Sequence, residues 1–325
     1  MGKKEYGGYL PIELNPGKEY FYKYEDLTYR FNSVKAALCF LIRELGKSKI
    51  LVPYYYCPST IEAIKKTGVT IEFYHIENDF SPIGLPDEKD SMVLLVDYFG
   101  VGGDTIAKTM KILKNSEIII DRAHAFFAQP VICDHTHNLY SAKKFFGVPD
   151  GAYLISNFMF EREETSSVAY KYANYLLKAY EEGTNAAYTE KKETDKKLAH
   201  NYDNMSVLSR GLLGNVDYER VRKQRVNNYR ILHDDLAGIN RLDIPEQSPA
   251  YMFPLLIPEK GDVVKKKLVE RSIFTPTLWS GQELIVNGYD FEIDMMNNGI
   301  FLPIDQRYCE KDMDYIASCV IEALE

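Results

Sequence analysis

The sequence predicts an α/β protein with a mostly parallel central sheet flanked by helices, followed by a smaller α+β C-terminal domain. Three observations lead there. Short β-rich runs alternate with amphipathic helical stretches between residues 34 and 156. The character then changes to a polar helical stretch and a long amphipathic helix, with further strands beyond. At 325 residues the chain also exceeds what one compact core usually holds. The expected division is a large domain over 1–220 and a small one over 221–325.

Val34, Ala37, Leu38, Leu41, Ile42 and Leu45 recur at helical spacing, and Gly46 ends that helix. KILVP (49–53) reads as a short buried strand. STIEAIKKTG reads as a helix with Ser59 as N-cap and Gly68 past its end. Strands are expected at VTIEFYHI and SMVLLVDYFG, a helix over 104–114, then strands at SEIIID and GAYLIS. Strands separated by helices imply parallel pairing through right-handed crossovers. Residues 161–200, rich in Lys, Glu and Tyr, read as a solvated helix pair. VDYERVRKQRVNNYRILHDDLAGI is a long helix bridging to the second domain, which mixes YMFPLLIP and GIFLPI with helices at 263–271 and 310–324.

Bulk properties exclude several classes. The net charge of −8 gives no electrostatic case for a nucleic acid or an anionic membrane as main partner. No apolar run spans a bilayer, and MGKKEYGGYLPIEL lacks the apolar stretch of a signal peptide. The five cysteines are scattered without a C-x-x-C pair, which suits free thiols in a reducing compartment. A cytoplasmic protein is expected.

Ligands of open α/β sheets collect at the carboxyl ends of the strands. Two acids fall at such ends, Asp97 after VLLV and Asp121 after EIII, and Asp121 places His124 three residues on. A carboxylate on a pocket floor requires a positive partner, either a structural Arg or Lys or a cationic ligand. NSVKAAL (32–38) sets small polar residues before a helix, where free amides bind phosphate or simply cap. VPYYYCPST follows a strand with three tyrosines, one of which could stack on a flat ring. YSAKKFFGVPDG sets Lys143 and Lys144 between Ser141 and two phenylalanines. A lysine in an apolar pocket loses its charge readily and becomes a nucleophile. Nucleophilic lysine, strand-end Asp, phosphate-binding helix start and aromatic wall have one economical explanation, pyridoxal 5'-phosphate. CDHTH (133–137) reads as a polar loop rather than a metal site, because adjacent side chains of an extended loop point apart.

The order GGYLPIEL, NSVKAAL, VPYYYCPST, VDYFG, DRAHAFF, SAKKFFGVPDGAYL and GIFLPID resembles the DegT/DnrJ/StrS sugar aminotransferases, pyridoxal-phosphate enzymes of fold type I. The resemblance covers nearly the whole chain; its most specific pieces are D-x-A-H-A and a lysine seven residues before a glycine of the turn that follows. It implies Lys144 as the Schiff-base lysine, Asp121 on the pyridine nitrogen and His124 near the phenolic oxygen. It implies Asn32, Ser33 and Val34 as the phosphate turn, Ser141 as a further phosphate donor, and Tyr56 or Cys57 against the ring. Lys143 fails the spacing and reads as a solvated or phosphate-directed charge. Where relatives carry G-x-N-Y-R-M, this chain has HNYDNMS; Asn201 survives and the Arg is lost. The turn's glycine pair has become Gly151-Ala152. Relatives that dehydrate sugars replace the lysine with histidine, so Lys144 implies amino transfer. The activity implied moves an amino group from a donor such as glutamate to a keto sugar, in a homodimer. The alternatives are a different pyridoxal-phosphate reaction on the same scaffold, and a non-catalytic protein that binds a sugar or a partner protein and uses the fold as a frame.

Overall fold

A computed structural model describes residues 6–161, 167–198 and 203–325. Its main sheet has seven strands, β1 (Thr28–Phe31), β2 (Lys49–Pro53), β3 (Thr70–Tyr74), β4 (Ser91–Val96), β5 (Glu117–Arg122), β6 (Thr136–Ser141) and β7 (Ala152–Ser156), in the order β1-β7-β6-β5-β4-β2-β3. Strands β3, β2, β4, β5 and β6 run parallel. Helices α1 (Val34–Leu45), α2 (Pro58–Lys65) and α3 (Gly103–Ile112) lie in the connections. The strand order reverses direction between β2 and β4, the point at which open α/β sheets offer a ligand crevice outside the carboxyl ends of the strands.

Four local expectations are corrected. GAYLIS is a strand, but β7 pairs antiparallel with both β6 and β1, so that edge is not parallel. The CDHTH loop ends early: Thr136 and His137 already belong to β6, every residue of which is buried. Its polar side chains are bonded inside the protein, with His137 Nδ1 at 2.9 Å from Ser156 Oγ and Asn138 Nδ2 donating to the Val131 carbonyl at 2.8 Å. Helix α2 starts at Pro58, with Cys57 rather than Ser59 at the N-cap. Proline has no N–H to leave unbonded, so the first helical position favours it. Strand β1 was not foreseen; its Arg30 pairs with Glu19 and Glu25 instead of facing solvent alone.

Beyond β7 come α4 (Asn174–Glu182), α5 (Tyr188–Leu198), α6 (Val207–Gly214) and α7 (Tyr218–Leu236). A separate antiparallel pair, β8 (Met252–Leu256) and β9 (Gly299–Pro303), packs among α7, α8 (Gly261–Glu270), α10 (Asp290–Asn298) and α11 (Glu310–Leu324), with α9 (Gln282–Asn287) before α10. One apolar cluster runs continuously from the large sheet into this C-terminal layer. A second, mostly aromatic cluster gathers Phe21, Phe126, Tyr140, Phe145, Phe146 and Tyr153 around the lysine segment. Among the described residues no helix is long and apolar enough to cross a membrane.

Candidate active site

The register of the sheet decides which acid faces the crevice. Val96 pairs with Asp121 across β4 and β5, so those two share one face and Arg122 is turned to the other. Asp121 lines the crevice. Arg122 instead donates to Asn138 Oδ1 and Tyr140 Oη, both at 3.0 Å. Asp97 stays out of the crevice: it accepts the Gly102 N–H at 3.1 Å and lies 3.9 Å from Arg122 Nε. Burial raises its pKa to about 6, against the opposing pull of Arg122 and the Gly102 amide.

Asp121 is 6% exposed and bonded on both oxygens. Oδ1 accepts the Ala123 N–H at 2.8 Å, and Oδ2 accepts the Tyr56 hydroxyl at 2.5 Å. Burial and the Asp121 charge push the Tyr56 phenol far up, so it keeps its proton and is the donor. Tyr56 thus has a definite task, holding the acid in place. Its neighbour Cys57 turns a thiol toward Ser59 Oγ at 3.3 Å. Burial alone would raise that thiol's pKa, but hydroxyl contacts to Ser59 and Thr60 and the nearby Lys144 bring it below the usual value.

After β6 the chain tightens, with the Phe145 and Phe146 amides donating to the Ala142 carbonyl at 3.0 and 2.9 Å. This turn delivers Lys144 Nζ to 2.6 Å from His124 Nε2 and 5.4 Å from the Tyr251 ring centroid. Burial lowers the Lys144 pKa, partly countered by Asp121 and Cys57. His124 stacks against two rings, Tyr251 at 4.9 Å with an interplanar angle of 29° and Trp279 at 5.5 Å with 19°. Burial, with the Lys144 charge added, drives its pKa well below the usual histidine range. A neutral imidazole accepts the Lys144 N–H at Nε2 and carries its own proton on Nδ1. That Nδ1 is buried and has no partner among the described residues.

The opposite wall suits an anion. Ser33 caps α1, its Oγ accepting the Ala36 N–H at 3.2 Å, which leaves the Val34 and Lys35 amides ahead of the first intrahelical acceptor. Gly151 has φ +136, a left-handed value that disfavours a side chain, and donates its N–H to the Asn32 carbonyl at 2.9 Å. The lysine turn and the α1 start are thereby tied together.

One cavity of about 180 Å³ is lined by Lys144, Asp121, His124, Ser141, Tyr56 and Cys57, and by Asn32, Ser33 and Val34 of the α1 start. Every candidate that the family resemblance named except Asn201 lines this one cavity; Asn201 lies outside the described residues. Lys143 also faces this cavity, with its ammonium on Asp195 of α5 at 2.7 Å rather than free in solvent. Trp279 and Tyr251, which complete the wall around His124, were missed. The only local hint for Trp279 is that the chain has a single tryptophan. No metal-binding cluster occurs among the described residues.

No protein-family model matches the sequence, and no match is found among curated proteins. Solved structures match over almost the whole chain. A DegT DnrJ EryC1 StrS aminotransferase from Brucella abortus is 16% identical, with TM-score 0.64, over 92% of this chain and 87% of that one. The sugar aminotransferase CalS13 from Micromonospora echinospora is 11% identical, with TM-score 0.64, over 91% and 87%. The E. coli GDP-4-keto-6-deoxy-D-mannose-3-dehydratase with bound hydrated PLP is 17% identical, with TM-score 0.64, over 92% and 89%. The chain has the fold that these proteins share.

Proposed function

We propose that the protein is a pyridoxal-phosphate-dependent aminotransferase of the DegT/DnrJ/StrS type, moving an amino group from a donor such as glutamate to a keto sugar. The observation that carries the reading is the Lys144–Asp121–His124 arrangement in one cavity with a helix-start anion site. The solved structures support it: two are sugar aminotransferases or DegT-type aminotransferases, and a third holds PLP.

The residues fit that cofactor on two structural grounds. His124 lines the cavity and has a buried Nδ1 with no partner among the described residues, and Ser33, Val34 and Lys35 of the α1 start line the same cavity as Ser141. Asn32, Ser33, Val34 and Ser141 would hold the phosphate, Asp121 the ring nitrogen, His124 the phenolic oxygen, and Tyr56 or Cys57 a ring face. When bound, pyridoxal phosphate supplies an electron sink for the carbon that loses a proton. Lys144, with its pKa lowered by burial, provides an amine free to take that proton at Nζ and return it. Asp121, fixed by Tyr56 and the Ala123 amide, would keep the ring nitrogen of that cofactor protonated. His124 and Trp279 form part of the cavity wall. The lysine, rather than another residue at this position, favours amino transfer over sugar dehydration.

A homodimer and a cytoplasmic location belong to the same proposal. Phe158, Met159, Val168, Tyr170, Leu177 and Tyr180 are exposed, an apolar surface that a second copy would cover. The five cysteines are unpaired. The proposed domains, 1–220 and 221–325, follow the separation of the β8–β9 pair from the large sheet.

The test is spectroscopic. Protein mixed with pyridoxal phosphate is expected to show a visible absorption band that Lys144→Ala abolishes, and glutamate should convert the band to that of the amine form. A wild-type band indistinguishable from the Lys144→Ala spectrum would end the enzyme reading. A band that glutamate and other amino acids leave untouched would end the transaminase reading.

A further inference from the structure

Two lysines stand side by side on the cavity wall in different surroundings. Lys144 contacts His124, whereas Lys143 carries a carboxylate, Asp195 Oδ1, at 2.7 Å. That carboxylate comes from α5, a polar helix in which Thr194 is the one buried side chain among those described. Asp195 is also bonded at 2.7 Å by Lys191 of its own helix, so it has a second cation to return to. An ammonium on a cavity wall needs an anion, and exchanging one carboxylate for another keeps the number of ion pairs unchanged. Both lysines line one cavity, so an α-amino acid held by its carboxylate at Lys143 would occupy the cavity that Lys144 lines.

We propose that Lys143 is the specificity residue that receives the carboxylate of the amino donor, and that Asp195 is its displaceable internal occupant. The proposal rests on the aminotransferase reading, but its first test does not need that reading to hold. Trp279 lines the same cavity and is the sole tryptophan, so its fluorescence reports occupancy directly. The full chain, without cofactor, is titrated with succinate, a dicarboxylate lacking an amine. Loss of a charge-assisted bond predicts binding weakened roughly tenfold or more in Lys143→Gln. Asp195→Asn, which removes the competing anion, should tighten binding several-fold. The second test uses protein loaded with pyridoxal phosphate. The glutamate concentration for half-conversion should rise roughly tenfold in Lys143→Gln and fall in Asp195→Asn. The absorption band before glutamate should be the same in Asp195→Asn as in the wild type.

A salt bridge that merely fastens α5 would make the two substitutions act in the same direction, and that result overturns the proposal. So would succinate binding that neither substitution changes. Failure to load pyridoxal phosphate with the succinate responses intact would instead defeat the functional reading and spare Lys143 as a carboxylate receptor.

Discussion

Replacing Tyr56 with phenylalanine tests the claim that the phenol is the anchor of Asp121. The bond is 2.5 Å long and joins two buried groups, one of them an acid. Bonds to charged groups contribute about 1.5–3 kcal/mol, roughly twice the neutral value. Tyr56→Phe leaves the ring packing nearly unchanged and Asp121 Oδ2 without its donor, so a loss of about 2 kcal/mol is expected. Unfolding entropy near 2.1 cal/mol/K per residue gives about 0.7 kcal/mol/K for this chain, hence a fall of about 3 °C in Tm. Tyr55→Phe is the internal control. Its hydroxyl donates at 2.6 Å to a neutral acceptor, the Leu278 carbonyl, and about 1 kcal/mol should be lost. Thermal and urea unfolding of the cofactor-free protein, followed by circular dichroism, measures both. If Tyr56→Phe cost no more than Tyr55→Phe, the phenol would not be the anchor of the acid.

Asp97 and Ser33 give two further expectations. The Asp97 carboxyl has its pKa raised from 3.8 to about 6 in the folded protein. The folded state therefore binds more protons than the unfolded state between those values, and stability falls as pH rises through that window. At 1.36 kcal/mol per unit the decline from this group is at most roughly 3 kcal/mol. Asp97→Asn should flatten the stability–pH curve between pH 4 and 6 in urea titrations; an unchanged slope there would count against the buried acid. Ser33→Ala removes the Oγ acceptor of the Ala36 N–H and should lower stability by about 1 kcal/mol. It should also weaken binding of inorganic phosphate measured by Trp279 fluorescence, and phosphate affinity equal to wild type would remove Ser33 from the anion site.

The sequence announced its elements where composition and burial agreed. Ile118, Ile119 and Ile120 made β5 plain, and with it the strand-end position of Asp121. Where buried strands carry polar residues the signal fails: THNLYS looks like loop because its His, Asn and Tyr find partners only in the folded sheet. Direction fails too, since β7 has the composition of its parallel neighbours and nothing local marks its reversal. Within the site, the resemblance to the DegT/DnrJ/StrS pattern favoured Lys144 over Lys143, and the short turn to His124 was visible as D-x-A-H. What lay beyond reach were contacts closed over long separations. Trp279 reaches His124 from the C-terminal half, and Lys143 meets Asp195 from α5, although the lysine itself was in plain view.

The pairing of β1 with β7 governs when this pocket can exist during synthesis. Thr28 finds its partner only at Ile155, and the Asn32 backbone is completed by Gly151 and by the Asp203 carbonyl. A nascent chain halted before β7 would hold every residue of the α1 start yet lack the scaffold that shapes it. Long-range closure of this kind is slow relative to helix formation. The α1 start is therefore expected to take its final shape only after the central sheet has closed at β7.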